Sequence, residues 1–247
     1  ESMTLLCGDI TRIQVLNNAV KNIWIEMMQR SLVGVSIHPR YRIAMFAYAD
    51  EPIDLLGGVL SIKEAAEKYP TPPIINVTKG RTNTKKAFEQ AEKLLRGELD
   101  KIQHCPAPLI CHVTDGEYND GGDPSEVIQR IMEMSVPDGN ILVENIFISN
   151  EVLLEPIKDP FEWTGLTDLS QLNPDYPYGV TLFNMSSLLP ESYRKNLSSK
   201  GFKSLRAKSR MMIPGNQPDL VMVGFVMSMS TNTGDSQSEV PHSELLQ

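Results

Sequence analysis

Between Asp9 and Arg30, apolar residues recur every three to four positions, with Ile13, Leu16, Val20, Ile23 and Met27 on one face. The spacing predicts an amphipathic helix with Asp9 as its N-cap. The run "YRIAMFAYAD" (41–50) has apolar residues on both faces and predicts a central strand. "PIDLLGGVL" (52–60) predicts a short partner strand bent at Gly57-Gly58. "SIKEAAEKY" (61–69) predicts a short helix closed by Pro70. A longer helix follows over 82–102, with Ala87, Phe88, Ala91, Leu94, Leu95 and Ile102 on its apolar face. A strand at 108–113, a helix from Pro124 to Ser135 and a strand at 140–149 complete the regular part. Pro124 suits a first helical turn.

Residues 151–178 break this rhythm with four prolines (156, 160, 174 and 177), and Phe161 and Trp163 lie among them. They predict an ordered insertion loop with one helical turn. "GVTLFNMSS" (179–187) reads as a strand, and "PESYRKNLSS" (190–199) as a helix ended by Lys200-Gly201. "DLVMVGFVMSMS" (219–230) is strand-like, and from Thr231 the polar composition reads as a disordered tail. The division this implies is one domain over 1–200 containing the insertion 151–178, a C-terminal extension over 201–230 and a tail over 231–247. Strands alternating with helices predict an α/β fold. Its sheet is central, doubly wound and mostly parallel, with helices on both faces. In such sheets functional groups gather at the carboxyl ends of the strands. Asp50, Asp115 and Asn150 stand at predicted ends.

Composition narrows the function. The 247 residues carry a net charge of −8 and a pI near 5.1, which argues against a general nucleic-acid binder. No apolar run reaches the roughly 18–20 residues of a membrane span. Cys7, Cys105 and Cys111 have no metal-ligand spacing and, being three, form no complete disulfide set. A reducing, cytoplasmic setting is the expectation. A basic stretch over 194–210 contains no acid. It reads first as a solvated face and otherwise as a dock for an acidic partner.

The chemistry-bearing stretches are three. The chain opens "ESM"; residues 80–84 are "GRTNT", directly before a helix; residues 113–117 are "VTDGE", directly after a strand. In order and placement they resemble the von Willebrand factor A (VWA) domain family. Its metal-ion-dependent adhesion site joins Asp-x-Ser-x-Ser, a Thr in Gly-x-Thr-x-Thr and an Asp in a Thr-Asp-Gly turn. The resemblance covers most of residues 1–200 and implies a Rossmann-like sheet. It places Ser2 as the last serine of the first motif, Thr82 as the site threonine and Asp115 as the site carboxylate. The first Asp and Ser of that motif, and the strand carrying them, would precede Glu1. Where they complete the site, the resemblance implies Mg²⁺ or Mn²⁺.

Hard divalent cations take hydroxyl and carboxylate oxygens, and neutral hydroxyls leave net positive charge on the ion. An acidic side chain from a partner protein can then complete the shell. The resulting expectation is a metal-dependent protein–protein interaction module, an intracellular adaptor serving a signalling or ATPase system. Catalysis is not the expectation, because no activated nucleophile or poised base stands near. Simpler readings of the same residues exist. Thr82 also fits an N-cap, and Asp115-Gly116 an ordinary turn. A scaffold with a degenerate metal site and its interface on 151–178 is the alternative; a metal-dependent hydrolase using Asp115 and nearby acids is a third. Glu117, Asp120 and Asp123 read as solvated loop acids without EF-hand spacing. "KGRTNTKK" lacks the second glycine of a phosphate loop. His112, inside an apolar run, reads as a core residue.

Overall fold

A computed structural model describes residues 4–7, 10–76, 81–114, 118–149, 151–215, 220, 221, 223 and 224. Helix α1 (Arg12–Ser31) follows the predicted periodicity, burying Val15, Leu16, Ala19, Ile23 and Trp24. Its cap is Thr11 rather than Asp9, which lies outside the described residues. The Thr11 hydroxyl accepts from the Gln14 N–H, and the Gln14 side chain accepts in return from the Thr11 N–H.

The predicted strand over 41–50 is split. Arg42–Ile43 pairs antiparallel with Leu60–Ser61, while β1 (Phe46–Tyr48) pairs antiparallel with β2 (Pro52–Asp54). The chain then turns at Leu55–Gly58, where the Asp54 carboxylate accepts from the N–H groups of Leu56 and Gly57. Helix α2 (Ile62–Lys68) starts with a reciprocal Ser61–Glu64 cap and buries Ile62 and Ala65 completely.

Helix α3 (Thr84–Glu98) buries Thr84, Phe88, Glu92 and Leu95, and a 3-10 turn over Leu99–Ile102 continues it. Strand β3 (Leu109–Thr114), helix α4 (Ser125–Glu133) and strand β4 (Leu142–Phe147) follow. Strands β3 and β4 run parallel, with His112 opposite Asn145. The far edge of β4 takes a parallel strand that the sequence pattern did not single out, β5 (Met212–Pro214). The result is a mixed α/β architecture with a three-stranded parallel sheet ordered β5-β4-β3.

One predicted strand is helical instead, and so are the described residues of another. Residues 179–187 form most of helix α5 (Tyr178–Asn184), started by Pro177. Tyr178, Leu182, Phe183 and Met185 are buried while Val180 is exposed, so the apolar spacing is helical. β-Branched Val180 and Thr181 obscured that period. Within 219–230, the described residues Leu220, Val221, Val223 and Gly224 are helical and buried. A Cβ on Gly224 would lie 2.5 Å from an Ile146 side-chain carbon, so this segment packs directly on β4. Helix α6 (Glu191–Ser199) forms as predicted, ending at Gly201 with φ of +107°.

Alternation along β4 sorts the core. Ile141 and Val143 pack with Phe88 and Leu95 of α3 and with Val127, Ile128 and Ile131 of α4. Ile146 packs with Val15, Leu16, Ala19 and Ile23 of α1 and with Tyr193 and Leu197 of α6. The same cluster takes Phe202, Leu205 and Met211–Ile213, so the chain beyond residue 200 contributes to the core. It also takes Val152, Trp163, Leu166 and Leu172 from the 151–178 segment, which carries two 3-10 turns (Pro160–Glu162 and Leu169–Gln171). Gly165, with φ of +80°, lies against the side chain of buried Ser209 and locks this segment to the basic stretch. No helix among the described residues is long and apolar enough to cross a membrane.

Across the α3–α4 contact, Glu92 accepts from Arg130 at 2.7 and 3.1 Å and from Arg96 at 2.8 Å. The Arg130 hydrogen bonds outweigh the cost of burial and hold the Glu92 carboxyl down at about 2. A depressed carboxyl adds stability above its ordinary value of 4.5, and that stability is lost as pH falls toward 2. Glu92→Gln is therefore expected to cost about 1–2 kcal/mol at pH 7. Urea melts from pH 7 to 2 should also show the variant losing the acid-dependent part of that term.

Candidate functional site

Three loops meet beyond the carboxyl ends of β1 and β3. The first is Ala49–Asp50, directly after β1. The second, Arg81–Asn83, leads into α3. The third, after β3, contains Tyr118 and Asn119. Four hydrogen bonds tie them together. The Arg81 N–H donates to the Asp50 carboxylate at 2.8 Å, and the Asn83 N–H to the Ala49 carbonyl at 2.9 Å. The Thr82 N–H donates to the Asn119 side-chain oxygen at 2.6 Å, and the Asn119 N–H returns to the Thr82 carbonyl at 3.1 Å. Lys86–Glu51 and, at 3.9 Å, Arg81–Asp120 add ion pairs around the rim.

The local sequence explains the convergence. Asn83 caps α3, its side-chain oxygen accepting from the Lys86 N–H at 3.0 Å. Gly121, with φ of +75°, lies so close to Asn83 that a Cβ would stand 2.2 Å from the Asn83 oxygen. The bend after β3 is thus fitted to the cap of α3.

Of the three residues expected to hold a metal, Thr82 is described, and Ser2 and Asp115 lie outside the described residues. The capping role open to Thr82 belongs to Asn83. Thr82 is half-buried with its backbone fixed on both sides, and its hydroxyl has no hydrogen-bond partner among the described residues. Asp50, a predicted strand-end acid, is committed to the Arg81 N–H. Asn150 lies outside the described residues, as do Glu117, Asp9 and the chain from Phe225 onward.

Beneath these loops lie polar groups that the sequence reading passed over. Thr84 Oγ1 and the Tyr178 hydroxyl are both buried near each other, and among the described residues neither makes a hydrogen bond of good geometry. They are close enough to influence each other. Burial raises the Tyr178 phenol well above its ordinary range, Tyr48 adds to this, and Thr84 opposes it. Tyr178 meets the Tyr118 ring edge-on at 5.4 Å between centroids. No sequence signal marked Tyr178, because its stretch was assigned to a strand. Asn119 carries no motif either, and its role comes entirely from the position of its loop.

Deeper still, His112 is buried between α3 and the sheet, its ring edge-on to Phe88. Its Nδ1 is 2.7 Å from Asn145 Oδ1, and its Nε2 is 2.6 Å from the Tyr48 hydroxyl. Asn145 Oδ1 only accepts, so Nδ1 carries the proton and Nε2 accepts from Tyr48. Asn145 donates onward to Ser186 at 2.9 Å, and Ser186 to the Leu182 carbonyl at 2.7 Å. His112 is thus a fully partnered core residue, as its sequence context suggests.

Hydroxyl oxygens and one carboxylate suit a hard divalent cation, and the unengaged Thr82 hydroxyl fits that donor set. Among the described residues, no three His, Cys, Asp or Glu side chains are grouped to hold a metal ion. Cys105 and Cys111 take part in no disulfide among the described residues. Within the basic stretch, Arg194 pairs with Glu191 and Lys200 with Glu26, while Arg210 donates to the Ser186 carbonyl. Lys203, Arg206 and Lys208 remain exposed without an ion-pair partner among the described residues.

No family model matches the chain, and no curated protein matches its sequence.

Proposed function

We propose that this chain is a metal-ion-dependent protein interaction module of the VWA type, built on a doubly wound sheet with its site at the carboxyl ends of the strands. The observation that carries the reading is the Thr82 loop. It is pinned to both neighbouring loops through its backbone and relieved of capping by Asn83, and it keeps an uncommitted hydroxyl. A threonine held this way is prepared for a ligand rather than for the helix behind it. Where residues preceding Glu1 complete the shell, Thr82, Ser2 and Asp115 would hold Mg²⁺ or Mn²⁺. Bound there, the ion supplies a positive charge to which an acidic side chain of a partner protein docks. The reading is one of binding without catalysis, in an adaptor working inside the cell.

Because Thr82 is not the cap, Thr82→Ala is a clean test. Titration of Mn²⁺ by calorimetry, on protein that includes the residues preceding Glu1, should show at least tenfold weaker binding for Thr82→Ala and for Asp115→Ala. Thr82→Ser should retain binding. Urea melts of Thr82→Ala should stay within about 0.5 kcal/mol of wild type, as for a surface change that removes no cap. Unchanged Mn²⁺ affinity in both alanine variants would overturn the proposal.

A further inference from the structure

The fold divides the basic stretch into two sets. Arg194 pairs with Glu191, Lys200 with Glu26, and Arg210 donates to the Ser186 carbonyl and lies over the Phe183 ring. Lys203, Arg206 and Lys208 form the other set, exposed and without an ion-pair partner among the described residues. They alternate with buried Phe202, Leu205 and Ser209, so the loop over 202–209 anchors itself through these three and leaves all three cations in solvent. No acid stands in the sequence between Glu191 and Asp219, in a chain whose net charge is −8.

The loop is held firmly from both sides. The Arg206 and Arg210 N–H groups donate to the Thr164 and Leu166 carbonyls at 3.0 and 2.7 Å, and the Leu189 N–H donates to the Ser209 carbonyl at 2.8 Å. Its path sets one residue against its preference. Lys208, with φ of +68°, is the only non-glycine residue in the left-handed region among the described residues. It is the third residue of a turn closed by the Ser209 N–H and the Arg206 carbonyl at 3.3 Å, where glycine fits without strain. A strained residue with an exposed, unpaired charge points to a role outside the fold. Beside the cations, half-exposed Phe161 stacks on Phe202 at 4.9 Å between centroids and offers an apolar face. The Asp159 and Asp168 carboxylates accept from the N–H groups of Phe161 and Ser170, which leaves exposed Glu162 as the uncommitted acid beside Phe161 in the chain.

We propose that this surface docks a short acidic segment of a partner protein, with carboxylates set against Lys203, Arg206 and Lys208 and an apolar side chain seated on Phe161. Charge decides the occupant. Three cations on a pre-organised loop attract carboxylates, while the net charge of −8 repels a long polyanion such as a nucleic acid. A short segment meets only the local field, because charges beyond about 8 Å are screened at physiological salt. The surface is also separate from the Thr82 loops. It precedes the amino end of β5, which runs parallel to β4, whereas those loops lie beyond the carboxyl ends of β1 and β3. Docking here needs no metal and stands whether or not Thr82 binds one.

The test is fluorescence anisotropy with the 247-residue chain and a labelled, capped octapeptide of glutamate pairs separated by leucine (EELEELEE). At low salt the peptide should bind saturably and equally with a chelator present, and in about 0.3 M NaCl it should bind at least tenfold more weakly. Lys203→Glu, Arg206→Glu and Lys208→Glu together should weaken binding at least tenfold. Lys21→Glu, Lys63→Glu and Lys93→Glu together, at exposed sites elsewhere and with the same change in net charge, should leave affinity within threefold. Lys208→Gly should weaken binding at least threefold while raising the urea midpoint, a combination that misfolding does not produce. Absence of saturable binding, equal losses in the two triple variants, unchanged affinity in Lys208→Gly, or loss of binding with the chelator overturns the proposal. Equal or tighter binding of an oligonucleotide of the same charge would assign the surface to nucleic acid. Tighter peptide binding after removal of residues 231–247, which carry Asp235, Glu239 and Glu244, would assign it to the chain's own tail. Either result overturns the proposal as well.

Discussion

Between pH 6.5 and pH 4 the folded chain is expected to lose about 3 kcal/mol of stability through His112 alone, at about 1.4 kcal/mol per pH unit. Burial holds the imidazole down at about 4, against an ordinary value of 6.5, and its Asn145 hydrogen bond only partly opposes this. The sign follows from proton counts. Between the two values the unfolded chain carries a proton on His112 that the folded chain does not, so acid favours unfolding. The stability is fully present above 6.5 and gone by 4. Protonation would also place a charge in the chain from Tyr48 to Ser186, where each group already has its role as donor or acceptor. His112→Gln should flatten the pH dependence in that window while costing about 1–3 kcal/mol at pH 7, from imperfect replacement of two buried hydrogen bonds. Urea melts of both proteins from pH 7 to 4 decide it; identical slopes would assign the acid sensitivity elsewhere. The Glu92 term falls at lower pH and does not overlap most of this range.

Gly165→Ala is expected to cost about 3 kcal/mol, from an unfavourable left-handed backbone and a displaced buried hydroxyl together. The φ of +80° already disfavours alanine, and a Cβ there would stand 2.2 Å from the Ser209 hydroxyl. Ser209 is buried and donates to the Arg206 carbonyl at 2.7 Å, so it has little freedom to retreat. Gly34→Ala is the control, since Gly34 has φ of +61° and an added Cβ meets nothing within 4 Å. It should lose only the conformational part, about 1 kcal/mol. A Gly165→Ala loss no larger than that of Gly34→Ala in urea melts would show that the 151–178 segment and the basic stretch are not locked together at this point.

Much of the helix and strand order was legible because burial imposes its period on the sequence. Helices α1, α3 and α4 and strands β3 and β4 were visible in the spacing of their apolar residues. The failures have local causes. Helix α5 hid behind β-branched Val180 and Thr181, whose preference for strands yields to tertiary packing of Tyr178, Leu182 and Phe183. Strand β5 is only three residues long, too short for a period to show. The site divides in the same way. "GRTNT" marked a loop that the fold fastens to its two neighbours beyond the strand ends, but two threonines flank an asparagine there, and sequence alone did not assign the cap. Asn119 and Tyr178 act through position, which depends on long-range folding and leaves no local trace.

One feature near the site reaches well beyond it. The first turn of α3 is fastened to the tips of β1 and the loop after β3, and its last turn is fastened by Glu98 to Arg42, beside the strand that leads into β1. At 1.5 Å per residue its 15 residues span about 22 Å. The helix therefore acts as a connecting rod between two ends of the β1 region. A displacement of the Thr82 loop along this axis would reach Arg42, where altered exchange or chemical shift in a Thr82-loop variant would report it.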